Sequence, residues 1–244
     1  FEWNHGTEPE TQGIWIWSKP IIITQSIGKQ IAIILMDTQG VYDEYTDLRD
    51  WTTIVGITLL TSSCFIFNVF TDIQEDVLQE LEIFLNYGRL AVQKSDSDEP
   101  VFQKLMFLIR DWNTPALFKY GITGGERFLE RKLQLKADQS SISQTVRRLI
   151  KKCFKEVSCF LMPDPGDKAK EDIDFNGSVA HLSDRFVTKM KEFITHFLNP
   201  EELKPKMINN KCLTGSDLYE YLKAYVEIFN SDELPKPVDI VEAT

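Results

Sequence analysis

Four short apolar runs constrain this chain more than anything else in it: Ile31–Met36 (IAIILM), Cys64–Val69 (CFIFNV), Leu105–Ile109 (LMFLI) and, more weakly, Val157–Leu161 (VSCFL). Each has the length of a strand. Continuous apolarity in a strand fits burial on both faces, as in a parallel or mixed sheet layered between helices. The segments between these runs carry the helical period. In 72–90, Val77, Leu81, Phe84 and Tyr87 share a face, with Asp72 placed as N-cap and Glu75 following it. In 141–154 the apolar set is Val146, Leu149, Ile150, Cys153 and Phe154, which leaves Arg147, Arg148, Lys151 and Lys152 as a solvated basic face. In 178–198 it is Val179, Leu182, Phe186, Met190, Phe193 and Phe197. In 215–229 it is Leu218, Leu222, Tyr225 and Phe229, begun by Thr214. Buried strands alternating with helices predict an α/β fold, a doubly wound mixed or parallel sheet flanked by helices.

Outside that pattern, residues 14–24 read as a strand that Pro20 confines to an edge or a bulge, and Ser26–Lys29 reads as a hairpin turn. Lys94–Pro100 (KSDSDEP) reads as a polar loop, and Ser231–Pro237 (SDELPKP) as a linker. The chain opens at Phe1 rather than methionine, so a fragment of a longer protein is expected, with a further domain after Thr244.

Charge and composition narrow the function. A net charge of −10 argues against a nucleic-acid binder, which needs a basic face to displace counterions. No apolar run reaches the ~18 residues of a spanning helix. Cys64, Cys153, Cys159 and Cys212 form no CxxC pair and read as buried reduced thiols. The three histidines stand apart at no zinc-ligand spacing, and no serine or cysteine sits in a nucleophile elbow.

Chemistry is expected at the carboxyl ends of the strands, where open α/β sheets bind ligands. Two strands end in charge there: Met36-Asp37-Thr38-Gln39-Gly40 and Leu108-Ile109-Arg110-Asp111-Trp112. A carboxylate after a buried strand, with a glycine close behind, suits a nucleotide and its magnesium. The Asp holds Mg²⁺ through water, and the Gly lets a backbone N–H approach the terminal phosphate. A DxxG string alone is weak, because an ordinary turn after a strand has the same form.

The combination resembles a family. Thr11-Gln12-Gly13-Ile14, Asp37-Thr38-Gln39-Gly40, LRDW (48–51), FLIRDW (107–112), YGITGGERFLE (120–130), VSCFLMPDPG (157–166) and ELPKP (233–237) together resemble the large GTPases of the guanylate-binding-protein and atlastin group, with the sharper likeness on the atlastin side. The resemblance covers essentially the whole chain. It implies a partial G domain over residues 1–230, from the first switch onward, and a linker over 231–244 toward a helical bundle. It also implies roles. Thr11 is then the switch threonine that contacts Mg²⁺ and the γ-phosphate of GTP. Asp37 is the Mg²⁺-linked carboxylate, Gly40 donates to the γ-phosphate, and Gln39 lies near the nucleotide. Arg110-Asp111 stands where other GTPases carry NKxD, and its carboxylate accepts two hydrogen bonds from guanine that adenine does not offer. The loop 163–177 matches the guanine cap, with Ala169 and Asp172 beside the nucleoside, although position 172 departs from the family pattern. Asn4 and His5 fall in a switch loop. Each has a plain alternative: Thr11 as a polar residue before an edge strand, Arg110-Asp111 as a structural ion pair, and the acidic loop as solvated surface.

The same resemblance implies an enzyme that binds and hydrolyses GTP, forms a homodimer through its G domain, and drives tethering and fusion of endoplasmic reticulum membranes from their cytosolic face. Membrane attachment is implied only through segments outside this sequence. No GxxxxGK[ST] phosphate loop occurs in it, and Gly28-Lys29 is a decoy followed by Gln30. These 244 residues alone are therefore expected to be inactive. The competing readings are a truncated or degenerate G domain that acts as a non-catalytic interaction module, and a guanylate-binding-protein-type immune GTPase. DTQG in place of DTEG disfavours the latter.

Overall fold

A computed structural model describes residues 11–40, 48–82, 85, 100–208 and 210–230. The elements are β1 (Ile14–Ile16), β2 (Ile21–Thr24), β3 (Gln30–Ile33), β4 (Met36–Thr38), α1 (Leu48–Thr61), β5 (Cys64–Phe70), α2 (75–82), β6 (Phe102–Arg110), α3 (Ile122–Lys132), α4 (Ser141–Cys153), β7 (Phe154–Leu161), α5 (Asp167–Glu171), a 3₁₀ turn (Val179–His181), α6 (Asp184–Phe197), β8 (Met207–Ile208), β9 (Lys211–Cys212) and α7 (Gly215–Phe229). They divide into two compact units. One draws its described residues from 1–63, 87–103 and 199–244, the other from 64–86 and 104–198.

The second unit is built on the parallel sheet β5-β6-β7. β5 and β6 run in register from Cys64 opposite Lys104 to Phe70 opposite Arg110. The central strand is dry, with Leu105, Met106, Phe107 and Ile109 fully buried. Beyond the end of β6 the ladder to β7 is irregular. Met162 donates to the Ile109 carbonyl (2.8 Å), and its own carbonyl accepts from Trp112 N–H (2.9 Å). Arg110 and Asp111 therefore occupy the span that one residue fills in a regular parallel ladder, and Asp111 takes the left-handed conformation, φ 56°. Helix α3 lies close on β7 because Gly125 has no side chain: a Cβ there would stand 2.0 Å from the Cys159 carbonyl oxygen.

In the first unit, β1 pairs antiparallel with β4 and β2 with β3. Its core joins α1 to α7 through Ile57, Tyr225 and Phe229, with Ile14 packed against them. Thr214 and Asp217 close a capping box at the start of α7. Hydrogen bonds from Thr214, then from Lys211, hold the Asp217 carboxyl down at about 2.

Several sequence expectations change. The run Ile31–Met36 is not buried on both faces: it divides between β3 and β4, and Ile34 and Leu35 are exposed, because each belongs to a two-stranded antiparallel pair with one face open. The strand expected over 14–24 is split into β1 and β2 around Pro20. Asp72 does not cap α2. Its carboxylate pairs with Lys132 Nζ (2.6 Å), a stronger partner than a backbone amide, and the helix starts at residue 75. Arg147 is not on a solvated face: it is 4% exposed, because its guanidinium pairs with Glu75 and donates to the Ser143 and Lys132 carbonyls. The helix expected over 178–198 breaks into the 3₁₀ turn and α6, which Ser183 caps, and Val179 is exposed. Cys153 and Cys159 are buried, but Cys212 is exposed on the short strand β9.

Candidate nucleotide site

Two clusters hold the expected site residues, one in each unit. In the first, antiparallel pairing places Trp15 opposite Asp37 and Ile14 opposite Thr38, which brings the segment before β1 alongside the DTQG string. Thr11 Oγ1 donates to Asp37 Oδ2 at 2.5 Å. Next to it, Gly13 N–H donates to Gln39 Oε1 (3.0 Å), and Gln39 N–H donates back to the Gly13 carbonyl (2.9 Å). Gly13, at φ 70°, makes this turn at no steric cost. Gly40 follows, and among the described residues nothing stands within 4 Å of where a Cβ would be. Asp37 lies inside β4, an antiparallel strand, rather than beyond the end of a buried parallel one. The expected residues are brought together all the same, by the β1–β4 pairing.

A hydroxyl and a carboxylate this close, both half-buried, are a suitable donor set for Mg²⁺. That ion keeps several waters and takes one or two protein oxygens besides its phosphates. Among the described residues there is no group of three or more His, Cys, Asp or Glu that could hold a metal by itself.

The second cluster sits at the carboxyl end of the parallel sheet. Arg110 is exposed, its guanidinium 5.4 Å from the Phe70 ring centroid. Asp111 is held by the irregular β6–β7 ladder, with its side chain only 14% exposed. Arg110 and Asp111 do not pair with each other: the cation at Asp111 is Lys170, with Nζ 2.9 Å from Oδ1. That same ammonium also pairs with Asp164. This oxygen is buried, and the Lys170 ammonium is the partner it has among the described residues.

The loop that carries Lys170 is itself well braced. Gly166 N–H donates to Asp164 Oδ1 (2.6 Å), while Ser183 ties the loop to the start of α6 through the Asp164 and Pro165 carbonyls. Ala169 is buried in α5, and its N–H bonds the Gly166 carbonyl. Asp172 is half-buried and closes a local turn with Asp174 N–H. Asn4 and His5 lie outside the described residues. Sequence reasoning missed Lys170. Within the string DKAKED it looks like any solvated charge, and only the folded loop carries it to Asp111.

A parallel sheet with a carboxylate at the end of its central strand and, in the other unit, a DTQG string hydrogen-bonded to a threonine are the parts of a nucleotide-binding G domain. Residues 1–206 match the family described as guanylate-binding protein, N-terminal domain, and the chain belongs to that family of large GTPases. Within it the domain is of the atlastin type. Over its full 244 residues it is 41% identical to Atlastin-1 of Bos taurus, and equally so to Atlastin-3 of Homo sapiens and Atlastin-2 of Xenopus laevis. The chain spans less than half of each relative, 43%, 45% and 42% respectively.

Proposed function

We propose that this chain is the greater part of a G domain, residues 1–230, which in the whole protein binds GTP with Mg²⁺ and hydrolyses it to GDP and phosphate. The observation that carries the reading is the Thr11–Asp37 hydrogen bond, because it joins the two side chains a switch threonine and a magnesium carboxylate must bring together. Bound Mg²⁺ would neutralise charge developing on the phosphates. Thr11 and Asp37 would hold it, Gly40 would present its N–H to the terminal phosphate, and Gln39 would fix the turn between them. At the other cluster Asp111 reads guanine, with Arg110 at the rim and Ala169 and Asp172 on the loop beside the nucleoside. The family membership and the identity to atlastins support the wider reading: homodimerisation through the G domain, and tethering and fusion of endoplasmic reticulum membranes from the cytosolic side. Among the described residues no helix is long and apolar enough to cross a membrane, so attachment is assigned to segments outside them, with 231–244 as the linker.

The test is GTP turnover by the full-length protein and its Thr11→Ala and Asp37→Asn variants. Turnover that falls by about 10²-fold or more in each variant is the expected result, on the scale of losing one preorganised transition-state contact. Unchanged turnover in both would remove the assignment. No turnover in the wild type would favour a non-catalytic interaction module.

A further inference from the structure

We infer that Lys170 is a resident cation on the base-reading carboxylate, one that guanine must displace, so that this residue sets the threshold for nucleotide entry. The inference deepens the guanine role of Asp111 and rests on it. Lys170 Nζ lies 2.9 Å from Asp111 Oδ1 and pairs with Asp164 on its own loop, so the ammonium bridges two carboxylates. Asp111 is the more buried of the two, its side chain 14% exposed against 44% for Asp164. Its Oδ1 is buried, and its partner is this half-exposed ammonium. Such an acceptor stays open to a better-directed donor. Its backbone is left-handed without being glycine, a strain that persists where the surroundings enforce it and that concentrates at ligand sites.

Guanine offers donors at N1 and at the exocyclic amine. An ammonium offers only donors as well, and the two compete for the same lone pairs. Displacement need not strand the cation, because Asp164 travels with Lys170 on the braced loop and retains it. The arrangement favours release of Asp111 to the base with the lysine parked beside it.

The sign of the effect separates this idea from simple charge attraction. A nucleoside diphosphate is an anion, so removal of a nearby lysine should weaken binding if Lys170 acts only by its field. If it blocks Asp111, removal tightens binding. An ion pair this exposed is worth little, so the gain is about two- to fivefold.

The experiment measures fluorescent GDP and ADP affinity in the full-length protein for the wild type, Lys170→Met, Lys170→Arg and Asp111→Asn. Expected are two- to fivefold tighter GDP binding by K170M, with ADP unmoved, wild-type or weaker binding by K170R, and a K170M gain that shrinks from 50 to 500 mM salt as the pair is screened. Loss of that gain in the D111N background would place the effect on Asp111. Equal or weaker GDP binding by K170M, with D111N still losing guanine preference, overturns the inference and leaves the guanine reading intact. A wild type that does not prefer GDP over ADP overturns both.

Discussion

Asp111 shows how one residue's backbone can serve a side chain. Its left-handed φ costs energy that an ordinary strand end would not, and the two bonds of Met162 hold it there. Asp111→Asn keeps the shape but replaces one acceptor with a donor. We expect guanine over adenine preference in the full-length protein to fall by on the order of 10²-fold or more, read by competition between GDP and ADP. Asp37 and Asp111 stand out in the sequence as carboxylates after apolar runs, although the structure sets Asp37 inside β4 and only Asp111 beyond a buried parallel strand. Lys170 does not, since its partners are chosen by how a loop closes. Arg147 was misread for a related reason: periodicity placed it outside, and Glu75 from another helix turned it inward. That pair predicts a pH effect. The Arg147 hydrogen bond, ahead of those from Ser143, lowers the Glu75 carboxyl from 4.5 to about 2. A depressed acid stabilises the fold above its unfolded pKa, and the contribution is lost as pH falls from about 4.5 toward 2. Because Glu75 is half-exposed and screened, Glu75→Gln should cost only about 1 kcal/mol at pH 7. Thermal melts should show the variant and the wild type converging near pH 2–3, and a gap that stayed constant with pH would refute the assignment.

Among the elements, the strands of the parallel sheet and helices α4 and α7 were read from period and length, and Thr214 was correctly placed at the start of α7. Helices α1 and α3 were not read. Helix α1 buries Thr52, Thr58 and Thr61 along with Ile54, Val55, Ile57 and Leu59, so no polar stripe marks it. The hydroxyls of Thr58 and Thr61 satisfy themselves on carbonyls one turn back, each at 2.7 Å. Helix α3 opens with glycines that resemble a loop, yet they permit its close seat on β7. A Cβ on Gly124 would stand 1.6 Å from the Lys119 carbonyl oxygen, and one on Gly125 2.0 Å from that of Cys159. Backbone atoms cannot swing aside, so Gly125→Ala should destabilise by about 3 kcal/mol or more, measured by chemical denaturation. Thr214→Ala, which removes only a cap, should cost about 1 kcal/mol in the same assay.

For the whole molecule, fold class was readable because it depends on many weak signals that agree, while the fate of Ile31–Met36 depended on which strands pair. Function follows the same division. The 244 residues contain the magnesium and guanine candidates but no GxxxxGK[ST] string. That loop supplies several N–H bonds to charged oxygens at ~1.5–3 kcal/mol each, while micromolar binding needs only about 8 kcal/mol in all. The isolated 244-residue chain should therefore show no measurable GTP turnover and no micromolar Mg²⁺-dependent binding by calorimetry, in contrast to the full-length protein.

The added residue at the end of β6 also sets a parity. Along a strand, alternate side chains face opposite ways, so a regular ladder would point position 111 inward with Ile109 and position 112 outward with Arg110. With one residue more, Trp112 takes the inward place at 6% exposed, and Asp111 shares the side of Arg110 with its side chain 14% exposed. Removing a single residue at 110 or 111 would thus do more than shorten the chain. It would restore a regular ladder with the Trp112 indole still on the inner face, and would take away either the Arg110 guanidinium or the Asp111 carboxylate with its Lys170 pair.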